Sequence, residues 1–88
     1  MKLIIAILHD QNADPVLENL LLKGFRVTSI ASTGGFLRRG SSTLMIGVQE
    51  DQLDEAIDTI RISLKVEPPA KRKRATLFVL NVENFSQI

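Results

Sequence analysis

The residues best suited to holding a ligand are concentrated between positions 26 and 42. Gly34 and Gly35 stand together in a stretch that also carries Phe36, Leu37, Arg38 and Arg39, with Ser32, Thr33, Ser41 and Ser42 at its ends. Adjacent glycines permit positive φ and leave backbone N–H groups open, which is what a nest for an anion requires. The hydroxyls add donors, and Arg26, Arg38 and Arg39 add fixed positive charge in a fork suited to phosphate. Phe36 and Leu37 offer apolar surface against which a base can pack. The stretch carries neither the Gly-Lys-Ser/Thr phosphate loop nor the Gly-x-Gly-x-x-Gly dinucleotide fingerprint. A Gly-Gly pair also marks plain turns, so these residues leave a binding loop and a bland connection equally open.

Catalytic chemistry has little to draw on. The chain has no Cys, Tyr or Trp and a single histidine, His9. Thiolate catalysis and sulfur-ligated zinc are therefore excluded. His9 beside Asp10 reads as a polar residue closing an apolar strand, and one His with dispersed carboxylates does not make a metal site. Glu50, Asp51, Asp54 and Glu55 sit in the first turns of a helical segment, where acids complement the helix dipole on a solvated face. The expectation is a non-enzymatic protein with no metal and no cofactor. A formal charge of +1 also sets the chain apart from general nucleic-acid binders, which are strongly basic. Without Tyr or Trp it lacks the best platforms for stacking RNA bases. The basic run Lys71-Arg72-Lys73-Arg74 is left without an assigned role.

The elements that must position the loop follow from hydrophobic patterning. The 88 residues suffice for a single domain, residues 1–88, that buries roughly 60–65% of its unfolded surface. Residues 3–8 form a continuous apolar run, a covered strand. It is too short for a bilayer span of about 20 residues and lacks the cleavage signature of a secretory leader, so the protein is expected to be cytoplasmic with no membrane insertion. Asp14 reads as an N-cap with Pro15 at the first helical position. Val16, Leu17, Leu20 and Leu21 form the buried stripe, Glu18, Asn19 and Lys23 point away, and Gly24 is the left-handed stop. Residues 25–33 read as a second strand and 42–48 as a third. Residues 50–65 read as a helix with Leu53, Ala56, Ile57, Ile60 and Leu64 on one side, and 75–82 as a last strand.

The order is βαββαβ, which predicts an α+β, ferredoxin-like fold: an antiparallel four-stranded sheet with two helices on one face. Residues 3–8, 44–48 and 77–80 carry apolar side chains at both parities, so the uncovered face needs a partner. A second copy of the sheet is the simplest one.

Several segments are similar in sequence to a known family. Met1-Lys2-Leu3-Ile4-Ile5-Ala6-Ile7, Gly24-Phe25-Arg26-Val27-Thr28, Ala31-Ser32-Thr33-Gly34-Gly35-Phe36-Leu37-Arg38 and Ala75-Thr76-Leu77-Phe78-Val79-Leu80 resemble the PII-like cyclic-di-AMP receptors. The resemblance covers the chain apart from residues 66–74. It implies a homotrimer with its sheets packed inside and cyclic di-AMP held between neighbouring subunits, reported to a protein target that the sequence does not identify. By position it implies ligand contacts from Arg26, Thr28, Gly35, Phe36, Leu37, Gly47, Phe78 and Gln87. Ser41 stands where family members typically carry Asn. An amide pairs bidentately with an adenine edge and a hydroxyl does not, so Ser41 is expected to serve as a weaker or less selective base contact. The connection before the last strand is shorter than is usual in the family, and Lys73-Arg74 replaces its Gly-Gly. The alternative reading is a trimer without a small-molecule ligand that docks on an acidic partner through its basic loop.

Overall fold

The computed structural model describes residues 1–30, 40–64, 75–83 and 86. In chain order the elements are β1 (Lys2–His9), α1 (Asp10–Leu22), β2 (Arg26–Ile30), β3 (Ser41–Val48), a 3-10 turn (Glu50–Gln52), α2 (Leu53–Ser63) and β4 (Ala75–Asn81). All pairings are antiparallel and the sheet runs β2-β3-β1-β4. This is the ferredoxin-like βαββαβ arrangement expected from the sequence. The expected strand residues 31–33, the loop residues Gly34, Gly35, Phe36, Leu37, Arg38 and Arg39, the basic run at 71–74 and Gln87 lie outside the described residues.

Helix α1 begins a full turn earlier than its capping signals predict. It starts at Asp10, and Pro15 lies inside it. The extra turn is secured from outside the helix: the Asp10 N–H donates to the Gly40 carbonyl at 2.8 Å, and its carboxylate accepts from the Ser42 hydroxyl. Asn12 and Ala13 are buried in that turn. Tertiary contacts thus outweigh the missing Pro15 N–H, whose cost in a helix interior is about 3 kcal/mol. The other end follows the sequence closely. Gly24 has φ of +85°, its N–H donates to Leu21 O at 3.0 Å, and the Phe25 N–H donates to Leu20 O at 3.1 Å. This is a Schellman ending, and the apolar pair that accompanies it, Leu20 and Phe25, is buried.

Strand alternation sends Ile4, Ala6 and Leu8 of β1 and Leu44, Ile46 and Val48 of β3 to the helix side. There they join Val16 and Leu20 of α1 and Ala56 and Ile60 of α2 in one core. The helices lie side by side. Asn19 Nδ2 donates to Ser63 Oγ at 2.8 Å, Ser63 Oγ donates to the Thr59 carbonyl at 2.6 Å, and Lys23 lies 3.7 Å from Glu55. Asn19 therefore belongs to the helix–helix seam rather than to solvent, whereas Leu21, expected in the stripe, is exposed. The two residues sit on opposite flanks of the Val16–Leu20 stripe, and α2 covers only the flank that carries Asn19.

Truncating Leu20, fully buried, and Leu22, 78% exposed, separates core from surface on one helix. Leu20→Ala is expected to cost about 2–5 kcal/mol of unfolding free energy and Leu22→Ala less than about 0.5 kcal/mol, both measured by urea denaturation.

Candidate functional site

Among the described residues, no helix covers the second face of the sheet. Registers place three rows of side chains across it, each running from β2 through β3 and β1 to β4. The first is Arg26, Gly47, Leu3, Leu80; the second is Thr28, Met45, Ile5, Phe78; the third is Ile30, Thr43, Ile7, Thr76. Phe78 is 50% exposed and Leu80 47%. Exposed apolar side chains on an edge strand invite a neighbour. Thr43, buried in the middle of the third row, has a hydroxyl with no hydrogen-bond partner among the described residues.

Four of the residues singled out in the sequence, Arg26, Thr28, Gly47 and Phe78, stand on this open face, and the structure divides them. Arg26 and Gly47 are paired neighbours, with Thr28 one row along. Phe78 is at the far edge, three strands from Thr28, or roughly 14 Å at about 4.8 Å per strand. Ser41, read from the sequence as a loop residue, is the first residue of β3. It pairs with His9 and is half-buried at the same end of the sheet as Gly40.

Arg26 and Gly47 also border a depression of about 350 Å³, together with Met1, Phe25, Gln49 and Gln52. The two glutamines are not among the residues singled out in the sequence, since no motif marks them. Gly47 itself needs explanation. A glycine inside a strand weakens it, and this one has no positive φ. Among the described residues, a Cβ there would meet only the Met1 side-chain tip at 3.6 Å, an ordinary contact. The fold does not need a glycine at this position, and the missing side chain keeps the floor of the depression low beside Arg26.

Among the described residues, no three His, Asp or Glu side chains cluster so as to hold a metal. No described helix is long and apolar enough to cross a membrane.

A four-stranded antiparallel sheet with both helices on one side defines this as a ferredoxin-like α+β domain. Residues 1–67 match the family described as the cyclic-di-AMP receptor, and the chain belongs to that family. It is also similar to the crystal structure of a functionally unknown protein from Pediococcus pentosaceus ATCC 25745. That similarity has a TM-score of 0.77 at 32% identity, covering 99% of this chain and 96% of the other.

Because Gly47 serves no need of the backbone, Gly47→Ala is expected to leave stability unchanged or raise it by about 0.5–1 kcal/mol. The measurement is a chemical melt. A loss of 2 kcal/mol or more would show that the fold itself requires the glycine.

Proposed function

We propose that this protein is a cyclic-di-AMP receptor that acts as a homotrimer. Three copies turn their open sheet faces inward, and the ligand lies between neighbours, against the β2 edge of one and the β4 edge of the next. One observation carries the reading: residues matching the family's ligand positions occupy opposite edges of a single apolar face. Arg26 and Thr28 stand on the β2 edge, with Gly47 beside Arg26 on β3, and Phe78 stands on the β4 edge; a cyclic arrangement of copies brings such unlike edges together. Family membership supports the ligand. Gly35, Phe36, Leu37 and Gln87 complete the proposed site by position in the sequence.

The chemistry of each group suits its role. The Arg26 guanidinium meets phosphate bidentately, Thr28 offers a hydroxyl on the same strand face, and Phe78 supplies an aromatic surface for adenine. Ligand binding beside the segment that joins β2 to β3 then biases that segment's conformation, which a protein target reads. The role is signalling in the cytoplasm rather than catalysis.

Light scattering at micromolar concentration is expected to give three times the chain mass, and calorimetry three cyclic di-AMP molecules per trimer. Ile5→Lys, on the open face, should yield a folded monomer, whereas Ile46→Lys, fully buried under the helices, should not fold, since an unpaired buried charge costs several kcal/mol. A stable wild-type monomer, or no heat on titrating cyclic di-AMP, sinks the proposal.

Arg26→Ala is expected to weaken binding at least tenfold, in line with about 1.5–3 kcal/mol for a charge-assisted hydrogen bond. Ser41→Asn is expected to tighten it and to sharpen discrimination against cyclic di-GMP, because the amide can pair with an adenine edge. Unchanged affinities in both variants would remove Arg26 and Ser41 from the site.

A further inference from the structure

The depression beside Arg26 is bordered by two carboxamides that the motif does not include. The stretch they belong to, Gln49-Glu50-Asp51-Gln52-Leu53-Asp54-Glu55, is otherwise rich in acids. The charges are sorted by direction: Gln49 and Gln52 border the depression together with Arg26, and none of the acids does. Glu50 instead lies 3.6 Å from Lys2. At the head of a helix a carboxylate is favoured over an amide, so uncharged side chains at these two positions run against the local preference.

Local structure accounts for their acceptor oxygens but not for their being amides. Gln49 and Gln52 form a reciprocal capping box, each side chain accepting from the other's backbone N–H, a role that a carboxylate oxygen fills as well. The turn is closed by its own backbone, with the Gln52 N–H donating to the Gln49 carbonyl at 3.0 Å. The Gln49 N–H reaches Gln52 Oε1 at 3.4 Å, a contact that a glutamate oxygen would make equally well. With Oε1 turned back, the Gln52 NH2 group and its two donors remain for the depression, and both glutamine side chains are exposed. The result is a recess with a guanidinium, carboxamide donors, a glycine floor and, among the described residues that line it, no carboxylate. Its chemistry is that of a phosphate seat, where a nearby acid would repel the ligand.

We infer that Gln52, with Gln49 beside it, grips a phosphate of the bound nucleotide opposite Arg26. The inference rests on the receptor reading above and assigns the ligand's anionic part to this end of the sheet.

Gln52→Glu is the decisive variant. It keeps shape and the oxygen facing the Gln49 N–H, so its thermal midpoint should match wild type, while its donors are replaced by negative charge. Calorimetry with cyclic di-AMP should show at least tenfold weaker binding. The loss should persist in 1 M salt, where the Debye length is about 3 Å, because a broken contact is not screened away. Gln52→Lys should bind at least as tightly as wild type. Wild-type affinity in Gln52→Glu, or equal losses in the Glu and Lys variants, overturns the inference while leaving the receptor reading intact. If the wild-type protein takes no cyclic di-AMP, the receptor reading fails by itself. The inference is then decided by titrating inorganic pyrophosphate into 15N-labelled protein: a shift of the Gln52 side-chain amide resonances sustains it, and unmoved resonances overturn it.

Discussion

Two helices cover only one side of a four-stranded sheet, and most of what is notable in this molecule follows from that inequality. The covered side is a closed core in which Ile4, Leu8, Leu44 and Ile46 meet Val16, Leu20 and Ile60 with almost no residual exposure. The uncovered side carries Leu3, Ile5 and Ile7 down the middle and Phe78 and Leu80 at an edge. Burial of apolar area stabilises by about 25 cal/mol per Å². A chain this small has few other sources of stability, and the open face leaves apolar area of this kind unburied within one copy.

The candidate site is a consequence of where that surface ends. Polar and small residues collect on the β2 side, with Arg26 and Gly47 in one row and Thr28 in the next, while the β4 side carries Phe78 and Leu80. The β2 side has charge and donors without an aromatic wall, and the β4 side an aromatic wall without donors. Strand β2 is held in place by short-range devices. The Schellman ending at Gly24 sets where β2 starts, and the Asp10 contacts to Gly40 and Ser42 tie the far end of β3 to α1. Gly40 and Ser42 are thereby joined to the first turn of α1. That turn lies ahead of Pro15, where the helix lacks a backbone hydrogen bond.

The family resemblance in the sequence and the family match agree, and each element expected from patterning is present. Leu21 is exposed where the stripe is expected to bury it, and the expected helix over residues 50–65 opens as a 3-10 turn and becomes α-helical only at Leu53. The other departures fall where a local signal competes with a contact made at long range. Asp14 and Pro15 form a convincing helix start, yet the helix begins at Asp10 because Gly40 and Ser42, some 30 residues away, bond to it. Ser41 reads as loop beside Gly40, yet it pairs with His9. Asn19 reads as solvent-facing until Ser63 is brought alongside. Gln49 and Gln52 have no signature as site residues, because their significance depends on Arg26 and Gly47 being across the same recess.

What the sequence determined by itself is therefore what depends on near neighbours. Strand and helix identity follow from periodicity, the stop at Gly24 from a positive φ that only glycine adopts at no cost, and the parity of each strand from simple alternation. That parity was enough to put Arg26 and Thr28 on one face. What the tertiary structure decided is which of these faces and ends meet. Strand order alone separates Phe78 from Thr28 by the width of the sheet, and register alone sets Gly47 beside Arg26. No local pattern encodes either fact, because both are fixed by how the two apolar stripes of the helices settle onto a single side of the sheet.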